Sequence, residues 1–101
     1  MSTLSTHVLD TAAGRPAEGI AVRLENRSGD VLDSGVTDAD GRIPSLGGEL
    51  GLGEYVLRFD TAPYVRGFFP EVVIVFRVAD DRHHHVPLLL SPYGYSTYRG
   101  S

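Results

Sequence analysis

Ile20-Ala21-Val22-Arg23-Leu24-Glu25-Asn26 alternates aliphatic with small or charged residues, and after a Ser28-Gly29-Asp30 break the chain resumes as Val31-Leu32-Asp33-Ser34-Gly35-Val36-Thr37. Successive side chains on a strand point to opposite faces, so Ile20, Val22 and Leu24 share one face while Ala21, Arg23 and Glu25 share the other. A helix would spread the same residues around its circumference and gather no apolar stripe. Glycine flanked by polar turn formers between two such runs predicts a β-hairpin.

The same period of two continues outward from the hairpin. Residues 4–10 place Leu4, Thr6 and Val8 opposite Ser5, His7 and Leu9, and Gly14-Arg15-Pro16 ends that strand. Residues 54–60 turn Tyr55, Leu57 and Phe59 inward against Val56 and Arg58. Val72-Val73-Ile74-Val75-Phe76 is a continuous run suited to a strand covered on both faces. Ala79-Asp80-Asp81-Arg82 then turns the chain into a last strand pair between His83 and about Tyr98, and the connection 61–70 has room for one short helix. The fold class is all-β: a β-sandwich of seven or eight short strands with one short helix.

The chain has 101 residues, enough for one core, so residues 1–101 are read as a single domain. Hydrophobic residues at 42% and charged residues at 22% suit a soluble globular protein. A net charge of −4 with nine scattered basic residues offers no footprint for a phosphate backbone, so nucleic acid is not an expected partner. Zero cysteines exclude disulfides and thiolate metal sites. No leader-like or membrane-spanning stretch is present, which predicts a cytoplasmic protein without membrane attachment. Exposed strand edges on so small a domain predict a homo-oligomer.

No nucleophile elbow, phosphate loop or dinucleotide fingerprint occurs, which leaves the imidazoles as candidate chemistry. His7 stands alone on the first strand, whereas His83, His84 and His85 begin a late one, where His83 and His85 share a face. His7 also fits a half-buried strand histidine and the triple histidine a solvated turn beside Asp80 and Asp81. Two chemical readings stand beside these. A His-x-His pair with a third histidine could hold zinc or copper with an open position. Alternatively, imidazole near its own pKa removes a proton from water while a guanidinium stabilises charge on a carbonyl oxygen. Asp38-Ala39-Asp40-Gly41 is a tight-turn signature that delivers Arg42 for that second role.

Three segments carry a resemblance to a known family: Ser5-Thr6-His7-Val8-Leu9-Asp10, Asp38-Ala39-Asp40-Gly41-Arg42, and His85-Val86-Pro87-Leu88-Leu89-Leu90-Ser91-Pro92-Tyr93-Gly94-Tyr95-Ser96-Thr97 running into Tyr98-Arg99-Gly100-Ser101. In these the chain resembles the 5-hydroxyisourate hydrolases of the transthyretin-like family, and the terminal Tyr-Arg-Gly-Ser separates those hydrolases from the thyroid-hormone carriers that share their fold. The resemblance implies a transthyretin-like β-sandwich assembled as a homotetramer, a dimer of dimers, with active sites between dimers. It implies hydrolysis of 5-hydroxyisourate to 2-oxo-4-hydroxy-4-carboxy-5-ureidoimidazoline in urate breakdown, with no cofactor and no metal. His7, Arg42, His85 and Ser101 are the catalytic residues it implies, and His7, Arg42 and Tyr98 the substrate-binding ones. His83 and His84 match less specific positions and stay outside that set. A metal site using His7 with the histidine cluster, and a non-catalytic small-ligand carrier, are the alternatives from other classes.

Overall fold

Thr3–Asp10 forms β1, with Leu4, Thr6 and Val8 buried and Thr3, Ser5 and His7 on the opposite face. The computed structural model describes residues 2–100, and this alternation sets one layer of a two-layer sandwich. β1 pairs with β2 (Arg15–Pro16) near its end and with β5 (Arg42–Ile43) at its middle. On its other edge it runs parallel to β8 (His83–Leu90), which in turn pairs antiparallel with β9 (Tyr95–Thr97).

The hairpin of the second layer is β3 (Ala21–Asn26) with β4 (Val31–Val36). β6 (Gly53–Asp60) and β7 (Glu71–Val78) complete it in the order β4-β3-β6-β7. Between the layers lies one apolar core, in which Leu4, Val8, Val22, Leu24, Leu57, Phe59, Val72 and Leu88 are fully buried. Removing that apolar surface from water supplies the main driving force, about 25 cal/mol per Å². Thr6 is the polar exception on the inward face of β1, and its hydroxyl donates to the Val86 carbonyl at 2.7 Å. The bond satisfies the hydroxyl and ties β1 to β8.

The all-β sandwich stands as read from sequence, with three corrections. Nine strands are present among the described residues rather than seven or eight. The additional pair are two-residue ladders, β2 and β5, too short to show a period. No helix occurs among the described residues. Residues 61–70 close one turn, with the Tyr64 and Val65 amides donating to the Thr61 carbonyl, but the Phe68 amide then turns away to the Pro92 carbonyl at 2.7 Å. One turn fixes several dihedrals for little return, and a segment held at both ends by strands has no length for a second.

Finally, β7 is an edge strand, and its outer face is open in the single chain. Val72, Ile74 and Val78 face the core, whereas Val75 is 53% exposed. No helix is long and apolar enough to cross a membrane.

Candidate active site

The turn before β5 presents Arg42. The Asp38 carboxylate accepts the amides of Asp40 and Arg42, each at 2.9 Å, and the Asp38 amide donates to the Arg42 carbonyl at 3.0 Å. Gly41 has φ +74°, and a Cβ there would lie 2.4 Å from the Val8 carbonyl oxygen, so the turn sits directly on β1. The Gly41 carbonyl then accepts the Val8 amide at 2.7 Å. This geometry sets Arg42 opposite His7 in the antiparallel ladder. The side chains of directly opposed residues lie on one face.

His85 reaches the same face from the other edge of β1. In the parallel ladder it pairs with Ser5, two residues before His7, and the Ser5 hydroxyl meets His85 Nδ1 at 2.7 Å. His83, one pleat earlier, places Nε2 on the same hydroxyl at 2.8 Å and Nδ1 on the Thr3 hydroxyl. The shared face expected of His83 and His85 is therefore present, and both rings meet at the Ser5 hydroxyl. Among the described residues no three His, Asp or Glu side chains are grouped to hold a metal ion.

Burial holds the His85 imidazole below its ordinary pKa, and the positive Arg42, with His7 and His83, adds to the effect. Desolvation and like charge both disfavour the imidazolium, so the neutral base persists into mildly acidic solution. The face therefore combines a neutral imidazole, a second imidazole and a guanidinium, which together can deprotonate water and stabilise an oxyanion.

The C-terminal segment returns to His85 by an interrupted ladder. β9 pairs with β8 as far as Leu88 with Thr97, and the same register resumes only at an isolated bridge between His85 and Gly100. In that register Pro87 faces Tyr98, and proline has no amide hydrogen to donate. The Pro87 carbonyl is instead satisfied by the Thr97 hydroxyl at 2.8 Å. Past the gap, the Gly100 amide donates to the His85 carbonyl at 2.8 Å.

Of the predicted site residues, the structure gathers His7, Arg42 and His85 on one outward face. Tyr98 lies elsewhere in the single chain: it is exposed and lines a cavity of about 240 Å³ with Ile74, Phe76, His84 and Val86. His84 and Val86 point inward from β8, so this cavity lies behind the sheet from His85. Ser101 lies outside the described residues. His84 is 3% exposed, and neither ring nitrogen has a hydrogen-bond partner among the described residues. Ser5 and Gly100 also belong to the site's framework, through contacts with His85 that the sequence alone does not mark. For Ser5 the available signal was its spacing of two from His7 on one strand face.

Residues 4–100 match the HIUase/Transthyretin family. A 5-hydroxyisourate hydrolase of Caulobacter vibrioides is 47% identical to this chain, with 100% of both chains covered. The solved 5-hydroxyisourate hydrolase of Klebsiella pneumoniae superimposes with a TM-score of 0.92 at 42% identity, again over 100% of both chains. Sea bream transthyretin in complex with thyroxine superimposes with a TM-score of 0.86 at 32% identity, covering 96% of this chain and 93% of the other.

Proposed function

This chain belongs to the HIUase/transthyretin family, and we propose that within it the chain acts as a hydrolase of 5-hydroxyisourate rather than as a hormone carrier. The observation that carries the reading is the grouping of His7, Arg42 and His85 on one outward sheet face, with His85 held toward its neutral form. The relatives named as this hydrolase are also more similar in sequence than the thyroxine-binding neighbour.

In the proposed reaction His85 takes a proton from water as the water oxygen attacks the lactam carbonyl. Arg42 holds the ring and the charge that develops on the carbonyl oxygen. His7 orients the substrate beside it. The carbon–nitrogen bond then breaks, and the product is the ring-opened ureidoimidazoline carboxylate. Nothing in this sequence of steps calls for a cofactor or a metal ion.

Residues 1–101 act as one domain, in a cytoplasmic homotetramer built as a dimer of dimers. The open outer edge of β7, with Val75 exposed beside it, supports association, because unpaired strand edges seek partners. Tyr98 and Ser101 complete the pocket in that assembly as hydrogen-bonding groups.

The test follows the ultraviolet absorbance of 5-hydroxyisourate generated in place from urate by urate oxidase, with and without this protein and with chelator. Fast, chelator-resistant loss is the expected result. Decay at the spontaneous rate would favour a carrier, and a chelator-sensitive loss would favour a metal site.

A further inference from the structure

Resting on that reading, we propose that Ser5 and His83 are positioning residues that carry protons between His85 and solvent, so that His85 serves first as base and then as acid. The bonded series is continuous. Thr3 Oγ1 meets His83 Nδ1, His83 Nε2 meets Ser5 Oγ at 2.8 Å, and Ser5 Oγ meets His85 Nδ1 at 2.7 Å. All four residues lie on the outward face of the β1–β8 pair, and His83 is exposed at its end.

A relay needs the Ser5 hydroxyl hydrogen to lie within the series, and hydrogen counting then leaves two polarities. A hydroxyl has one hydrogen to donate and a neutral imidazole has one N–H. Either His85 donates from Nδ1 to Ser5, Ser5 to His83 Nε2, and His83 Nδ1 to Thr3, or every bond runs the other way. The first polarity leaves His85 Nε2 bare as a base. The second puts the hydrogen on Nε2 and makes it an acid.

Lactam hydrolysis uses both in turn. When water attacks, its proton goes to His85 Nε2, the Nδ1 proton passes to Ser5, and the Ser5 proton passes to His83, which releases its Nδ1 proton outward. When the carbon–nitrogen bond breaks, His85 Nε2 gives its proton to the leaving nitrogen, Ser5 restores Nδ1, and His83 restores Ser5 and takes one proton from solvent. The first polarity is thereby recovered. The carbon gains the water oxygen, the ureido nitrogen leaves uncharged, and the new carboxylic acid sheds one proton to water.

The surroundings favour moving charge outward. Among the described residues, Arg42 from β5, His7 from β1 and His83 from β8 are the charged or titratable groups facing His85, and each opposes an imidazolium there. At the exposed His83 a transient charge keeps its hydration and stands farther along the sheet from Arg42.

Three variants and one additive test the proposal in the assembled protein. Ser5→Ala should lower kcat about 100-fold, within the range for lost acid–base assistance, with KM nearly unchanged. Ser5→Thr, which keeps a hydroxyl, should recover most of the rate. His83→Ala should lose a similar factor and be rescued by free imidazole in the buffer, since the lost ring opens onto solvent. Wild-type kcat in Ser5→Ala or in His83→Ala, or a His83→Ala defect that imidazole leaves untouched, would overturn the relay while the hydrolase reading stood. A wild-type protein that left 5-hydroxyisourate to decay spontaneously would instead remove the reading beneath it.

Discussion

Gly100 lies against the Cδ2 side of the His85 imidazole, so closely that a methyl group on its Cα would sit 2.5 Å from His85 Cδ2 and 3.1 Å from Cγ. The backbone there is not in the left-handed region, so the requirement for glycine comes from this contact and not from its dihedral angles. Gly100→Ala should therefore rotate or displace His85 while leaving the sandwich intact. We expect kcat/KM to fall at least about 10-fold with little change in Tm, because misplacing a reacting group by even 1 Å costs on that scale. A variant with wild-type kinetics would show that the imidazole position is not used.

The arrangement of His85 is a fair measure of what sequence can reveal. Parity along β8 was legible: His83 and His85 had to share a face, and His7 had to oppose Val8. The Asp38 to Gly41 turn was legible because its chemistry is local. Ser5 beneath His85 was not, because a parallel β1–β8 register brings together residues 80 apart. The Gly100 contact depends likewise on a ladder that Pro87 interrupts. The absent helix has the same cause, since residues 61–70 take their shape from Pro92 and from the Tyr64 hydroxyl on Asp10. Whether Val72 to Phe76 lies centrally or at an edge is decided by its neighbours, and a uniform apolar run carries no record of them.

The electrostatics of His85 give a second prediction. Burial is the larger cause of its lowered pKa and Arg42 the next, so the imidazole should titrate below 6.5 in the folded protein. A lowered pKa means that the neutral base survives as pH falls, and the acid limb of kcat/KM should lie below 6.5 as well. Arg42→Gln removes a positive neighbour and should move the His85 midpoint upward, toward but not beyond the ordinary value. Histidine ring resonances followed against pH read this directly, and an unchanged or downward midpoint would contradict it.

Thr37 offers a test of the fold that does not pass through the site. Its buried hydroxyl accepts the Ile20 amide at 2.9 Å and donates to the Ala17 carbonyl at 2.7 Å. Thr37→Val keeps the shape and strands both groups without partners. A buried polar group left unsatisfied costs about 1–3 kcal/mol. For two such groups the expected loss is roughly 2–6 kcal/mol in denaturant unfolding, at the start of β3, with kcat per folded molecule preserved.

Gly41 links stability to activity at one position. An alanine there must adopt φ +74° and place its methyl 2.4 Å from the Val8 carbonyl oxygen, a backbone atom that cannot swing aside. The left-handed conformation alone costs about 1–2 kcal/mol for an alanine. Relief of the clash requires the turn to lift from β1, which breaks the Val8 amide bond to the Gly41 carbonyl and carries Arg42 away from His7. Gly41→Ala should thus lower both stability and kcat/KM. Asp38→Asn separates the two effects: its amide oxygen can still accept the Asp40 and Arg42 amides, so the turn and most of the activity should remain. Loss of activity in Asp38→Asn equal to that in Gly41→Ala would assign Asp38 a charge-dependent role instead. Activity retained in Gly41→Ala would mean that Arg42 need not be held against β1 at all.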